Sequence, residues 1–122
     1  ALTVFLDEAM LSEILWALLR NAIEASPVDG TIRLLGDVCE EQVCIYIDDQ
    51  GTGISQETLS HCFDPFYSGR EAGRGLGMGI AKAKRLARLL KGDVSIENLP
   101  TGGCRASVTI PVLPPPPHLG MS

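Results

Sequence analysis

Two stretches of helical period, each followed by a pair of short strand-like runs, limit this chain to very few architectures. Over residues 10–25 apolar side chains recur at Leu11, Ile14, Leu15, Leu18, Leu19, Ala22 and Ile23, the stripe of an amphipathic helix. Over residues 80–90 the pattern returns at Ile80, Ala83, Leu86, Ala87 and Leu90, and Lys91-Gly92 suit the end of a helix. Residues 31–35 and 42–47 read as paired strands around an acidic turn at 37–41, and 94–97 and 105–110 as strands joined by a turn at 100–103. Residues 1–6 suit a short strand, Asp7 or Glu8 can begin the first helix, and Ser55 can cap one helical turn running to Leu59. The order β-α-β-β-loop-α-β-β lacks the strict alternation of a doubly wound parallel sheet. It predicts an α/β two-layer sandwich: a mixed, mostly antiparallel sheet with helices on one face.

A chain of 122 residues has room for one core. Residues 1–112 are expected to form that domain and 113–122 a disordered proline-rich tail, since five of the eight prolines lie from Pro111 onward. No apolar run approaches the ~20 residues of a membrane span, and the first residues lack the basic flank of a secretory signal. The expectation is a cytoplasmic, monomeric unit, with any membrane anchor of a longer protein lying outside this chain. The four cysteines, Cys39, Cys44, Cys62 and Cys104, form no Cys-x-x-Cys pair, and His61 and His118 complete no zinc spacing. They read as reduced, mostly buried thiols.

The net charge of −5 conceals a division: residues 1–64 hold twelve acids and two bases, residues 65–122 three acids and eight bases. Seven of the ten bases fall between Arg70 and Lys91. An acidic chain with one confined basic segment argues against general nucleic-acid binding and suits a small anion such as phosphate. Lys82, Lys84, Arg85, Arg88 and Lys91 lie opposite the apolar stripe of their helix and read as its solvated face.

Three local features carry chemistry. Gly73, Gly75, Gly77 and Gly79 alternate ahead of the second helix. Their setting fails the dinucleotide fingerprint, which follows a strand, and the P-loop, which needs Gly-Lys before Ser or Thr. Two readings stand: a mobile loop, or backbone N–H groups that approach a phosphate at a helix N-terminus. Asp48-Asp49-Gln-Gly51-Thr-Gly53-Ile54 lacks the alternating ligands of a calcium loop. Asp48 reads as an Asx turn closing a strand. Asp49 reads as the acceptor of a hydrogen bond from the adenine amine, a charge-assisted bond of roughly 1.5–3 kcal/mol. Asn21 shares one side of the first helix with Glu13, Ala17 and Glu24. It reads either as a solvated residue or as a neutral ligand for phosphate-bound Mg²⁺.

Together these motifs resemble the ATP-binding catalytic domain of sensor histidine kinases. Asn21-Ala-Ile-Glu-Ala-Ser-Pro resembles their asparagine box and Asp49-Gln-Gly-Thr-Gly-Ile their first glycine box. Phe63-Asp-Pro-Phe66-Tyr67 is similar to the phenylalanine box, and Gly73 to Gly79 to the second glycine box. The order and spacing match to about Val112, including Lys91-Gly-Asp-Val, Gly102-Gly103 and Val-Thr-Ile-Pro. The resemblance implies the Bergerat fold shared with gyrase, Hsp90 and MutL, with ATP and Mg²⁺ as cofactors. It implies that Asn21 binds Mg²⁺ and Asp49 adenine, and it places Gly51, Gly53, Ile54, Phe66, Gly73, Gly75, Leu76, Gly77, Met78 and Gly79 at the nucleotide. Tyr67 to Ala72 would form a short lid, where Arg70 and Arg74 either reach the γ-phosphate or only solubilise the loop.

The resemblance further implies protein histidine kinase activity in two-component signalling, with a downstream response regulator. The γ-phosphoryl group passes to a histidine on a separate dimerising helical domain. Neither His61 nor His118 has that acceptor's setting, so the chain reads as the catalytic domain alone. Hydrolytic relatives carry Glu four residues before the asparagine, where this chain has Ala17, so direct hydrolysis is expected to be weak. A self-sufficient ATPase and a nucleotide-independent interaction module are the alternatives.

Overall fold

The computed structural model describes residues 8–64 and 78–112. The expected strand at 1–6, the expected tail at 113–122, and Phe66, Tyr67, Arg70, Arg74, Gly73, Gly75, Leu76 and Gly77 lie outside the described residues. The chain runs α1 (Glu8–Ala25), β1 (Arg33–Cys39), β2 (Gln42–Asp48), α2 (Gln56–His61), α3 (Met78–Leu89), β3 (Asp93–Asn98) and β4 (Cys104–Pro111). The four strands form one sheet in the order β1-β2-β4-β3, and all three pairings are antiparallel.

The helical period sets how the layers meet. Ile14, Leu18 and Ala22 recur every fourth residue of α1, so one line of side chains points into the core. Ala83 and Ala87 do the same from α3, and the sheet supplies Ile47, Val94, Ala106, Val108 and Ile110. The small residues of α3 let the helices approach closely: a Cβ added to Gly79 would lie 3.8 Å from that of Ala17. β4 alternates buried and half-buried residues along its length, as a strand with one face on the core must.

The opposite face of the sheet is polar. One row crosses all four strands with alternating charge: Arg33 opposite Asp48, Asp48 opposite Arg105, Arg105 opposite Glu97. The acidic turn expected at 37–41 is shorter than that. Asp37 to Cys39 continue β1, and only Glu40 and Glu41 turn, both with positive φ (47° and 66°). Ser55 caps α2 as expected, its Oγ accepting from the Thr58 N–H at 3.2 Å. Lys84 departs from the expected solvated face: its Nζ donates to the Val94 carbonyl at 3.1 Å, lies 3.2 Å from Asp93 Oδ1 and sits 4.2 Å over the Phe63 ring. It ties α3 to β3.

Candidate nucleotide site

Among the clefts of the described residues, one lies between the helices and others lie at the end of the sheet. The first lies between α1 and the start of α3. It encloses about 460 Å³ and is lined by Glu13, Trp16, Ala17, Arg20, Asn21 and Glu24 from α1 and by Gly79, Ile80 and Lys82 from α3. Asn21 thus stands one residue from Ala22 in the core, with its amide at the cleft rather than in bulk solvent. The first turn of α3 contains no acid, and the start of a helix favours an anion. A neutral oxygen ligand beside the positive end of a helix fits a polyphosphate carrying Mg²⁺. Lys82 reaches across the mouth to Glu13, Nζ to Oε2 at 4.0 Å.

The second feature is the loop that follows β2. Asp49 is 4% exposed, and its Oδ1 accepts from the Gly51 N–H at 2.9 Å and from the Cys104 N–H at 3.0 Å. Its own N–H donates to the Cys104 carbonyl at 2.9 Å. The Asx turn therefore belongs to Asp49, which corrects the expectation that Asp48 makes it. The pleat is the reason: Asp48 is the last residue of β2 and points to the polar face, where the Arg105 guanidinium holds it with two bonds of 2.7 and 2.8 Å. Those bonds keep the Asp48 carboxyl below the ordinary carboxylate range, against the upward pull of burial.

The loop continues through Gly51 and Gly53 to Ile54, which is buried against Cys62, Ile80 and Cys104. Gly53 has φ +85°, a conformation open to glycine and strained for other residues. Asp49 borders a cleft with Gln50, Gly51 and the 99–102 turn, while Gly53 and Ile54 border another beside Asn98. Asn21 and Asp49 line different clefts. They are joined through the core, since Ala22 and Ile47, their near neighbours in sequence, belong to one buried cluster.

Three positions that shape the site are not among the residues predicted for it. Gly103 has φ +82°, and a Cβ there would run into the Asp49 carbonyl oxygen. Arg105 neutralises Asp48 from across the sheet. Asn98 grips Ile54. Only Gly103 left a trace in the sequence, as half of a Gly-Gly pair in a hairpin turn. The Cys62 thiol is pushed up by burial, which suits an inert core residue.

The family model described as "Histidine kinase-, DNA gyrase B-, and HSP90-like ATPase" matches residues 6–114. The chain is 37% identical over 106 residues to the sensor protein CreC of Escherichia coli, covering 85% of this chain and 22% of that protein. It is 30% identical over 102 residues to sporulation kinase D of Bacillus subtilis, covering 84% and 20%. The chain thus spans about a fifth of the length of these curated relatives. Among solved structures, the nucleotide-free catalytic domain of histidine kinase ThkA superposes with a TM-score of 0.77 at 26% identity, covering 88% of this chain and 70% of that one. The mycobacterial sensor histidine kinase MprB shares the fold, with a TM-score of 0.77 at 22% identity and coverage of 92% and 78%.

Proposed function

The chain belongs to the histidine kinase-, DNA gyrase B- and HSP90-like ATPase family, and we propose that it binds Mg²⁺-ATP and donates the γ-phosphoryl group to a histidine on a separate dimerising domain. The P–O bond to the departing ADP breaks as a P–N bond to the acceptor imidazole forms, and a response regulator then receives the group. Phosphoryl transfer of this kind is mostly positioning and charge stabilisation. The observation that carries the reading is Asp49, a buried carboxylate oriented by two backbone N–H groups before any ligand arrives.

In this reading Asp49 accepts from the adenine amine, and Gly51, Gly53 and Ile54 leave room for a flat ring beside it. Asn21 supplies its carbonyl oxygen to Mg²⁺, with Met78 and Gly79 at the start of α3 presenting N–H groups to phosphate. Mg²⁺, when bound, neutralises phosphate charge. Phe66, Gly73, Gly75, Leu76 and Gly77 are assigned to the nucleotide, and Arg70 and Arg74 to the γ-phosphate, on their sequence motifs alone. Ala17 lines the cleft with a methyl group and cannot act as a base, so the reading favours transfer over hydrolysis.

Calorimetric titration with Mg²⁺-ATP tests the site. Asp49→Asn and Asn21→Ala are each expected to weaken binding about tenfold or more, the scale of one charge-assisted contact. The Asn21→Ala loss is expected to shrink when Mg²⁺ is withheld. Equal affinity in both variants and the parent would defeat the assignment. Steady phosphate release by the chain alone, faster than that of Asn21→Ala, would favour the self-sufficient ATPase. Absence of nucleotide binding would favour the interaction module.

A further inference from the structure

The loop from Asp49 to Ile54 is tied at both ends to one place, the turn end of the β3–β4 hairpin. Asn98 and Cys104 face each other there as the last paired residues of the two strands. Asp49 is fastened to Cys104: its N–H donates to the Cys104 carbonyl at 2.9 Å, and its Oδ1 accepts from the Cys104 N–H at 3.0 Å. Ile54 is fastened to Asn98 with equal completeness. Asn98 Oδ1 accepts from the Ile54 N–H at 2.8 Å, and Asn98 Nδ2 donates to the Ile54 carbonyl at 2.7 Å. One side-chain amide thereby does what a backbone residue does in a strand pairing.

The grip is specific for an amide. A hydroxyl in its place cannot reach both backbone groups of one residue, and a carboxylate would face the Ile54 carbonyl with like charge. Asn98 Oδ1 also accepts from the Cys104 thiol at 3.3 Å, so the two anchors are bonded to each other. It closes the space around Gly53 as well, since a Cβ there would lie 3.1 Å from Oδ1.

We infer that Asn98 is a positioning residue for purine selection: by clamping Ile54 it fixes the span of the loop, and with it the angle at which Asp49 meets the base. The inference rests on the reading of Asp49 as the adenine acceptor. A carboxylate anchored at one end only can tilt toward or away from an amine. Adenine depends on that tilt for its bond, while guanine, with a carbonyl at the same place, gains nothing from it.

The effect is read as the ratio of Mg²⁺-ATP to Mg²⁺-GTP affinity, titrated by calorimetry well below the melting temperature. Asn98→Ala is expected to lower that ratio about tenfold, the worth of one well-placed hydrogen bond to a charged group. Asn98→Asp keeps an acceptor for the Ile54 N–H but replaces the donor with an oxygen that faces the Ile54 carbonyl, and it too is expected to lower the ratio. Val94→Ala, a core truncation in the same hairpin, is expected to lower the melting temperature and leave the ratio unchanged. An unchanged ratio in the Asn98 variants overturns the inference; should Asn98→Ala not fold, Asn98→Asp decides. Asp49→Asn separates the two ways of failing. If it lowers the ratio and the Asn98 variants do not, only the positioning role falls; if it leaves the ratio intact, the base-reading role falls and the inference with it.

Discussion

Asp48 and Asp49 are neighbours of identical chemistry held by different partners, Asp48 at the end of β2 and Asp49 just beyond it. Asp48 lies on the polar face, 7% exposed, and depends on Arg105 for its charge. Asp49 is held by backbone donors. Removing the guanidinium leaves a buried carboxylate without its cation, the costly half of a broken ion pair. Arg105→Met is therefore expected to lower stability at neutral pH in denaturant titration, by less than the loss of a fully buried pair because the guanidinium reaches solvent and is screened. Mg²⁺-ATP affinity, measured in the same variant, is expected to hold, because Asp49 keeps its own anchors. The sequence made the Asp-Asp pair conspicuous. It could not assign the role of Asp48, because the partner of Asp48 lies 57 positions away and emerges only from the β2–β4 register.

The elements were legible where a period of 3.6 or 2 ran long enough to be seen, and their ends were legible only in part. Both long helices and both strand pairs lie where the apolar pattern puts them. The end of α3 follows the Lys91-Gly92 signal with its roles exchanged. Lys91, not the glycine, takes the left-handed conformation at φ 66°. Gly92 is needed for space, since a Cβ there would meet the Thr109 carbonyl oxygen. The Gly92 N–H closes the helix on the Ala87 carbonyl at 2.8 Å. The bounds of the β1–β2 turn, expected at 37–41, were hidden for a similar reason: it consists of two glutamates in a conformation that ordinarily selects Asn-Gly. Each non-glycine residue held there costs on the order of 1 kcal/mol. Replacing Glu40-Glu41 by Asn-Gly is expected to stabilise the fold by about 1 kcal/mol, or roughly 4–8 °C in melting temperature for a domain near this size. A melt unchanged or lowered by the double substitution would show that the glutamates contribute something the backbone geometry does not reveal.

At the scale of the whole molecule, the division of charge along the sequence becomes an arrangement of layers. The acidic first half supplies α1 and the basic second half α3, which meet at the cleft where Lys82 faces Glu13. Among the described residues, Asp48, Asp93 and Cys62 bear on how the fold responds to pH. The Asp48 carboxyl is held low by its hydrogen bonds to Arg105. Burial pushes the Asp93 carboxyl up, but the Val94 N–H and Lys84 outweigh it and leave it lowered. Both therefore favour the folded state above about pH 4, where an unfolded carboxyl is ionised, and that contribution drains as pH falls through their folded values. Cys62 acts in the opposite direction, its proton retained by burial. Its contribution is complete below about pH 8.5, where an unfolded thiol begins to ionise, and is lost as pH rises toward the folded value. The melting temperature is thus expected to be level between about pH 5 and 8 and to fall on both sides. Two variants assign the arms. Cys62→Ala should flatten the alkaline fall while lowering the whole curve slightly through a small cavity. The deficit of Arg105→Met should narrow toward about pH 3, because a protonated Asp48 no longer requires its cation. An acid arm identical in parent and Arg105→Met would mean that the cross-sheet charge row, however regular its register, does not govern the acid stability of this fold.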